Sequence, residues 1–397
     1  MTHISAAEQF LLHASLIEGI GPVTLGFILE HKPETVAWTD LYRFTAGDWS
    51  AYLRLGHSTA QKLVTGLADA DLLAREVSLI DVHNIQLVTR LAADYPPLLL
   101  TINAPPAILY YRGALSNQRA LAVIGSRKAD QYAHYAVQQL VPPLVAADFT
   151  IVSGGALGAD SMAHETTVRA GGSTIAVLGS GLLQPYPREN KKLFDAIADS
   201  GGAVISAFPL RTPPAPGNFP ARNRIIAGMS VGCVVVQAAQ KSGASITAQY
   251  ALEQGREVFA VPGPIDHELS AGCHQLIQQG AKLVMNAEDI LIEFGYELQR
   301  AALHAVPSNK TVSQPAPRTE RQHTSAPTVE ESLKTHAVTN VVLAKRLLAV
   351  CAQARTIDEL LLHNDDDLGA IQQTMFELLL ADLVEQDASG RWLARSL

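Results

Sequence analysis

The chain has 397 residues, of which 48% are hydrophobic and 17% charged, a globular composition that excludes wholesale disorder, collagen-like sequence and a coiled-coil rod. Because the net charge is −8, a polyanion must be bound by a local basic site and not by bulk charge. The three cysteines lack metal-ligand spacing, and no apolar run of about 18 residues occurs, so we expect a cytoplasmic protein without a membrane partner.

Residues 1–75 predict a small helical domain. Apolar residues recur at helical spacing in 10–17 and 23–29, on either side of the turn Gly19-Ile20-Gly21-Pro22. A Gly-x-Gly turn between two helices can offer backbone N–H groups to a phosphate, as in helix-hairpin-helix and SAM-like modules. The same turn also serves as a plain connector, and the acidity of this segment favours the connector.

Residues 76–300 predict a Rossmann-like domain of the α/β class. From Ala120 onward, short runs of mostly apolar residues alternate with helical segments, and their lack of polar alternation is typical of strands buried on both faces. The fold class is therefore a doubly wound, mostly parallel sheet, in which ligands bind beyond the carboxyl ends of the strands. The predicted strands are 121–124, 150–152, 174–178, 203–205, 233–236, 258–261 and 282–284.

Residues 301–335 are rich in Pro, Ser, Thr and Gln and predict a flexible linker. Residues 336–397 predict a winged-helix-like domain, with helices at 356–362 and 368–383, a strand at 384–386, a turn at 387–390 and a strand at 392–394. The second helix contains no Lys or Arg. A helix that binds in the major groove of duplex DNA needs basic or amide side chains to contact bases and phosphates. This domain is therefore expected to bind protein or itself in preference to duplex DNA.

Glycine turns and cationic side chains follow successive predicted strands. Glycine lets an anion approach helix N-terminal N–H groups, and Arg supplies paired donors for phosphate oxygens. The stretch from Arg119 to Arg224 also leans basic, with ten Lys and Arg against seven Asp and Glu. We therefore predict a phosphate or phosphodiester site formed by Gly125, Ser126, Arg127, Gly154, Gly155, Gly158, Lys191, Phe194, Arg222, Arg224, Ser242 and Gly243.

Phe194 follows Lys191 by three residues, so a helix would place a ring and a cation on one face, as single-strand binding requires. A buried Phe194 beside a solvated Lys191 explains the spacing equally well. The chain lacks a P-loop, and its first strand turn is not the dinucleotide-binding Gly-x-Gly-x-x-Gly, so we expect no cofactor. His164 could be a general base, but a structural role is favoured.

Several motifs closely resemble the DNA-processing protein A family, also called DprA or Smf: A-V-I-G-S-R at 122–127, V-S-G-G-A-x-G at 152–158, A-H at 163–164, Y-P-x-x-N at 186–190, F-P-A-R-N-R-I-I-A-G at 219–228, S-G-A-S-I-T-A at 242–248, and V-P-G-P with G-C-H-x-L-I-x-x-G-A at 261–281. The resemblance implies a dimer, formed through the Rossmann-like domain, that protects single-stranded DNA in natural transformation and loads RecA onto it. It also implies that Arg127 and Lys191 hold phosphates, that Phe194 contacts a base and that the glycines shape the pocket. We add Arg222 and Arg224 to the predicted binding surface because they are cationic and follow a predicted strand.

Three residues depart from the family pattern: Ala159 stands where Ile is usual, and Ala207 and Gln237 stand where Glu is usual. Two missing carboxylates argue against acid-dependent chemistry, and we expect a binding protein and not an enzyme. The alternatives are a nucleotide-phosphate hydrolase of the LOG or lysine-decarboxylase-like Rossmann group and a duplex-binding regulator. Pro262-Gly263-Pro264 does not continue into the Pro-Gly-Gly-x-Gly-Thr-x-x-Glu signature of that hydrolase group.

Overall fold

The structure is a computed structural model that describes residues 4–116, 118–295, 340–351, 360, 368–380, 383–386 and 392–394. The chain divides into two compact units, Met1–His304 and Ala305–Leu397. Within the described residues, no helix is both long enough and apolar enough to cross a membrane.

Five helices form the N-terminal part of the first unit, and side-chain caps define where they begin. Ser5 and Glu8 make a reciprocal capping box at the first helix, and Thr45 and Asp48 make another at the third. The last helix of the group continues past residue 75, the predicted domain boundary. The helices are α1 (Ala6–Ser15), α2 (Pro22–His31), α3 (Ala46–Leu53), α4 (His57–Leu67) and α5 (Ala70–Val82).

These helices share a hydrophobic cluster with the sheet that follows. Phe10 and Trp49 are fully buried in the same cluster as Tyr110 and Val204 of the sheet. In addition, the buried Glu76 on α5 accepts a hydrogen bond of 2.8 Å from the backbone N–H of Leu210. The helical segment is therefore packed onto the sheet within one compact unit.

The sheet has nine strands in the order β1-β2-β6-β5-β4-β3-β7-β8-β9. Strands β3 to β9 run parallel and overlap the seven predicted strands, which confirms the fold class. Strands β1 and β2 were not predicted; β2 joins the sheet by antiparallel pairing with the distant β6. The strands are β1 (Gln86–Thr89), β2 (Ile108–Gly113), β3 (Ala120–Ile124), β4 (Thr150–Ser153), β5 (Thr174–Val177), β6 (Ala203–Ser206), β7 (Gly232–Val235), β8 (Glu257–Ala260) and β9 (Lys282–Leu283).

Helices cover both faces of the parallel part of the sheet. Ala122 packs in the cluster that includes Ile226, whereas the next residue, Val123, packs in the cluster that includes Leu140. The chain extends the sheet from β3 through β6 on one side and from β7 through β9 on the other, so the strand order reverses between β3 and β7. The helices are α6 (Pro97–Leu100), α7 (Gln131–Ala146), α8 (Ala159–Arg169), α9 (Lys191–Asp199), α10 (Asn218–Met229), α11 (Gly243–Glu253), α12 (Ala271–Gln278) and α13 (Ala287–Leu291).

The second unit contains α14 (Val341–Val350), α15 (Leu368–Leu380) and an antiparallel pair of strands, β10 (Val384–Gln386) and β11 (Trp392–Ala394). The two strands coincide with those predicted, and α14 was not predicted. The predicted linker 301–335, the turn 387–390 and, apart from residue 360, the helix 356–362 lie outside the described residues. The winged helix therefore stays a prediction.

Candidate functional site

A cavity of about 470 Å³ lies where the strand order reverses, at the carboxyl ends of β3 and β7. In doubly wound sheets this crevice is the usual ligand position. Six of the twelve predicted site residues line it, and they come from the loop after β3 and the beginnings of α10 and α11. These six are Gly125, Ser126, Arg127, Arg222, Ser242 and Gly243.

A smaller cavity of about 50 Å³ adjoins the first and shares Arg127, Phe219 and Arg222 with it. Gly154, another predicted site residue, lines this smaller cavity together with Tyr186. Gly155 and Gly158 belong to the same loop after β4, and Gly158 directly precedes α8. The glycine turns predicted from the sequence therefore do meet at one edge of the sheet.

The loop after β3 is fixed by β7 and carries the exposed cation of the site. The N–H of Ser126 donates a hydrogen bond of 2.7 Å to the carbonyl of Gln237, which follows β7. The side-chain amide of Gln237 donates to Asp130 Oδ1 at 3.0 Å, a contact in which a glutamate would be repelled. The adjacent Arg127 is exposed, and its guanidinium carbon lies 5.4 Å from the centre of the Phe219 ring.

Arg222 is only 5% exposed and ties three elements together. From α10, its Nη1 donates to the carbonyl of Val177 at the end of β5, at 2.7 Å, and to the carbonyl of Gly154. Its Nε–H has no acceptor among the described residues. Burial lowers the pKa of Arg222 to about 10, opposed by the charge of Asp160, so the side chain stays a cation at neutral pH.

The glycine at position 154 makes room for this guanidinium. A Cβ there would lie 2.1 Å from Arg222 Nη1. Asp160 on α8 accepts hydrogen bonds from the N–H groups of Gly154 at 3.1 Å and Ala156 at 3.3 Å. Burial raises the pKa of the Asp160 carboxyl, and the charge of Arg222 opposes that shift. The Asp160 carboxylate therefore acts as a backbone clamp beside a buried cation.

The structure corrects the prediction that Phe194 contacts a base. Its ring is 2% exposed and belongs to the core, where it packs beneath Gly155. Gly155 has a φ of +65°, and a Cβ on it would lie 2.6 Å from the Phe194 ring. The ring therefore supports the loop from below. The apolar spacing of Phe194 and Ile197 on α9 is the signal that could have shown this.

Lys191 lies beside the site and is not among the residues that line either cavity. It is exposed and forms an ion pair of 2.7 Å with Asp195, which also binds Arg112. Its neighbour Asn190 instead holds the glycine loop, donating 2.9 Å to the carbonyl of Gly155 and 2.8 Å to Ser161 Oγ.

Arg224 was also predicted in the site, and the structure places it elsewhere. Residues two apart on a helix point in nearly opposite directions, so Arg224 leaves α10 on the side away from Arg222. Its Nη1 donates to the carbonyls of Asn103 and Ala104, the latter at 2.9 Å. It lines a separate cavity of about 240 Å³ beside the turn that precedes α2.

Two aromatic rings that were not predicted lie at the site. The Phe219 ring contacts the guanidinium groups of Arg127 and Arg222. Its centre is 5.8 Å from that of the Tyr186 ring, and Tyr186 is 43% exposed. Both residues precede a proline in segments that follow strands, which is a weak signal. Their recognition required the tertiary structure, because 32 residues of sequence separate them.

His164 is completely buried, as the structural interpretation favoured. Thr174 Oγ1 donates its hydrogen to the carbonyl of Ile151, so it accepts from His164 Nδ1–H at 2.7 Å. Burial and the charge of Arg222 lower the pKa of His164 to about 3, and the ring is neutral at pH 7. Among the described residues, no group of His, Cys, Asp and Glu could hold a metal ion.

Comparison with known proteins identifies relatives of this chain. Residues 86–295 match the family described as DNA recombination-mediator protein A. The chain is 34% identical over 300 residues to the protein Smf of Synechocystis, with 73% of each chain covered. It is 44% identical over 203 residues to the DNA processing protein DprA of Bacillus subtilis, covering 50% of this chain and 68% of that protein.

Among solved structures, the X-ray structure of DNA processing protein A from Streptococcus pneumoniae superposes with a TM-score of 0.62 at 34% identity. The match covers 74% of this chain and 99% of that chain.

His164 generates a prediction on pH dependence. In the unfolded chain a histidine binds a proton below about pH 6.5, whereas the folded His164 does so only near pH 3. The unfolded state therefore gains protons first, and His164 should remove about 1 kcal/mol of stability per pH unit as pH falls below 6.5. Urea unfolding between about pH 7 and pH 5 should show a shallower acid loss for His164→Asn than for the wild type. Equal slopes would contradict the assignment.

Proposed function

Because this chain belongs to the DNA recombination-mediator protein A family, also named DprA and Smf, we propose that it binds single-stranded DNA in natural transformation and protects the incoming strand. The observation that carries the proposal is the position of Arg127. An exposed guanidinium lies over the Phe219 ring, next to the exposed Tyr186, at a cavity formed by glycine turns.

This arrangement matches the chemistry of single strands. Arg127 offers paired donors to a phosphate, and Tyr186 and Phe219 offer rings to unstacked bases. In a duplex the base faces are already covered by their neighbours, so rings at a cavity favour strands whose bases are free. With a chain charge of −8, this local cluster is also the kind of basic site that a polyanion needs.

The proposed activity is binding without catalysis. The carboxylate of Asp160, which lines the cavity, is engaged by two backbone N–H groups and lies close to the buried Arg222. His164, the other titratable candidate, is buried, neutral and bonded to Thr174. Asp160 thus holds the loop after β4 and His164 is held against the start of β5, and this supports a binding role over the nucleotide-phosphate hydrolase alternative.

We expect Arg127→Ala to weaken binding of a labelled single-stranded oligonucleotide by about 1 to 3 kcal/mol, because one phosphate contact is lost. The slope of log affinity against log salt should shrink by about 0.7. Fluorescence anisotropy across a salt series, with a single strand and the matching duplex, measures both effects. The oligonucleotide should remain intact throughout.

Arg75→Ala is the matched control, since Arg75 is an exposed arginine on α5, paired with Asp69 and outside the lining of both cavities. It should leave affinity unchanged. Weak binding that is equal for the single strand and the duplex, and that Arg127→Ala does not change, would reject the proposal and favour the small-nucleotide hydrolase.

The two phenylalanines should separate binding from stability. Phe219→Leu removes a ring at the cavity, and strand affinity should fall by about 1 kcal/mol or more with little change in unfolding free energy. Phe194→Leu removes a core ring, so the unfolding free energy should fall by about 1 to 3 kcal/mol while the folded protein keeps its affinity. Anisotropy and urea unfolding of both variants test this, and the reverse pattern would restore Phe194 as the stacking residue.

We also propose that the chain acts as a homodimer through its Rossmann-like domain and delivers the strand to RecA. Among the described strands, β9 is at one edge of the sheet, where unpaired backbone groups invite pairing, and Leu283 of β9 and the nearby Met285 are exposed. The RecA partnership rests on the family resemblance. Sedimentation velocity should give twice the mass of the chain and a further complex with RecA; a monomer indifferent to RecA would remove both proposals.

A further inference from the structure

The cavity of about 470 Å³ described above, which we name the Arg127 cavity, adjoins a second, larger groove of about 750 Å³ along α11. Ser242, Gly243 and Ile246 line both, so the two spaces are neighbours at the beginning of α11. We name this second space the α11 groove; it is lined by Lys241, Ser242, Gly243, Ser245, Ile246, Gln249, Tyr250 and Glu253.

The volumes show in which direction a long ligand can leave the Arg127 cavity. On the Tyr186 side, the adjoining space measures about 50 Å³, which holds one or two water molecules. On the α11 side, the 750 Å³ of the groove is within the range that accommodates whole organic ligands. Of these two spaces, the α11 groove is therefore the one with room for a further nucleotide.

The residues of the α11 groove suit a nucleotide chain. Lys241 is an exposed ammonium group, directly before the Ser242 cap of α11. Ile246 is 44% exposed, and Tyr250, one helical turn further on, offers a half-buried ring. The single carboxylate among the lining residues, Glu253, accepts a hydrogen bond of 3.1 Å from the Gln249 amide. The groove thus combines a cation near its junction with the Arg127 cavity and an apolar wall beyond it.

We propose that single-stranded DNA continues from the Arg127 cavity along the α11 groove, with a phosphate at Lys241 and the next base against Ile246 and Tyr250. This inference rests on the proposed function, since it extends the same strand-binding site. It assigns Lys241, Ile246 and Tyr250 to the footprint, and it makes the footprint longer than the Arg127 cavity alone would hold.

The test compares labelled oligothymidylates of about four and about twelve nucleotides, a range typical of single-strand sites. Lys241→Ala should weaken binding of the longer strand roughly three- to tenfold and reduce its salt slope by about 0.7, because one phosphate contact is lost. The shorter strand, held by the Arg127 cavity, should bind as before. Lys241→Glu should enlarge the loss on the longer strand alone.

Lys192→Ala is the matched control, an exposed lysine on α9 that lies outside the lining of the Arg127 cavity and the α11 groove. It should leave both strands unaffected. If Lys241→Ala leaves the longer strand unaffected while Arg127→Ala still weakens both, the α11 groove is not part of the site and the proposed function stands. If Lys192→Ala weakens the longer strand equally, general surface charge explains the effect and the inference fails. Wild-type protein that binds neither strand would overturn the proposed function itself.

Discussion

The buried guanidinium of Arg222 is the contact on which the site depends. A cation removed from water must be compensated, and here the carbonyls of Val177 and Gly154 and the nearby Asp160 carboxylate do so. These partners come from the end of β5, the loop after β4 and the start of α8, while Arg222 itself comes from α10. Through its hydrogen bonds, a single side chain thus fixes the mutual positions of three segments: α10, the end of β5 and the loop after β4. Their alignment requires glycine at position 154, where any side chain would displace the guanidinium.

Because Arg222 is already hydrogen-bonded inside the protein, the ligand must be bound by the groups that remain exposed. Arg127 extends from a loop that is anchored by Gln237, the second residue after β7. The guanidinium carbons of Arg127 and Arg222 lie 5.4 and 6.0 Å from the centre of the Phe219 ring. The site therefore has an inner cation that organises the backbone and an outer cation that faces solvent. Because the reversal of strand order opens the crevice between β3 and β7, the outer cation, the Phe219 ring and the beginning of α11 border one cavity.

From charge and sequence position alone, we could not tell which arginines and aromatic rings would lie at the cavity and which would lie elsewhere. Arg222 and Arg224 are two residues apart, yet about 200° of helix rotation sends the second to the carbonyls of Asn103 and Ala104. Phe194 follows Lys191 at helical spacing as expected, but the same helix turns its apolar face, with Phe194, into the core. Phe219 and Tyr186 come together only because two connections meet above the sheet.

The sequence by itself determined the parallel sheet and the edge at which function would lie. Strands buried on both faces must be apolar throughout, and the tight turns after them need glycine, so both leave a local signature in 121–124, 150–152 and the strands that follow. The antiparallel strands β1 and β2, the burial of Arg222 and Phe194, and the choice of rings at the cavity were decided only by the tertiary structure. The physical reason is that strand partners and the rotation of each helix are set by packing between distant segments, which no local pattern encodes.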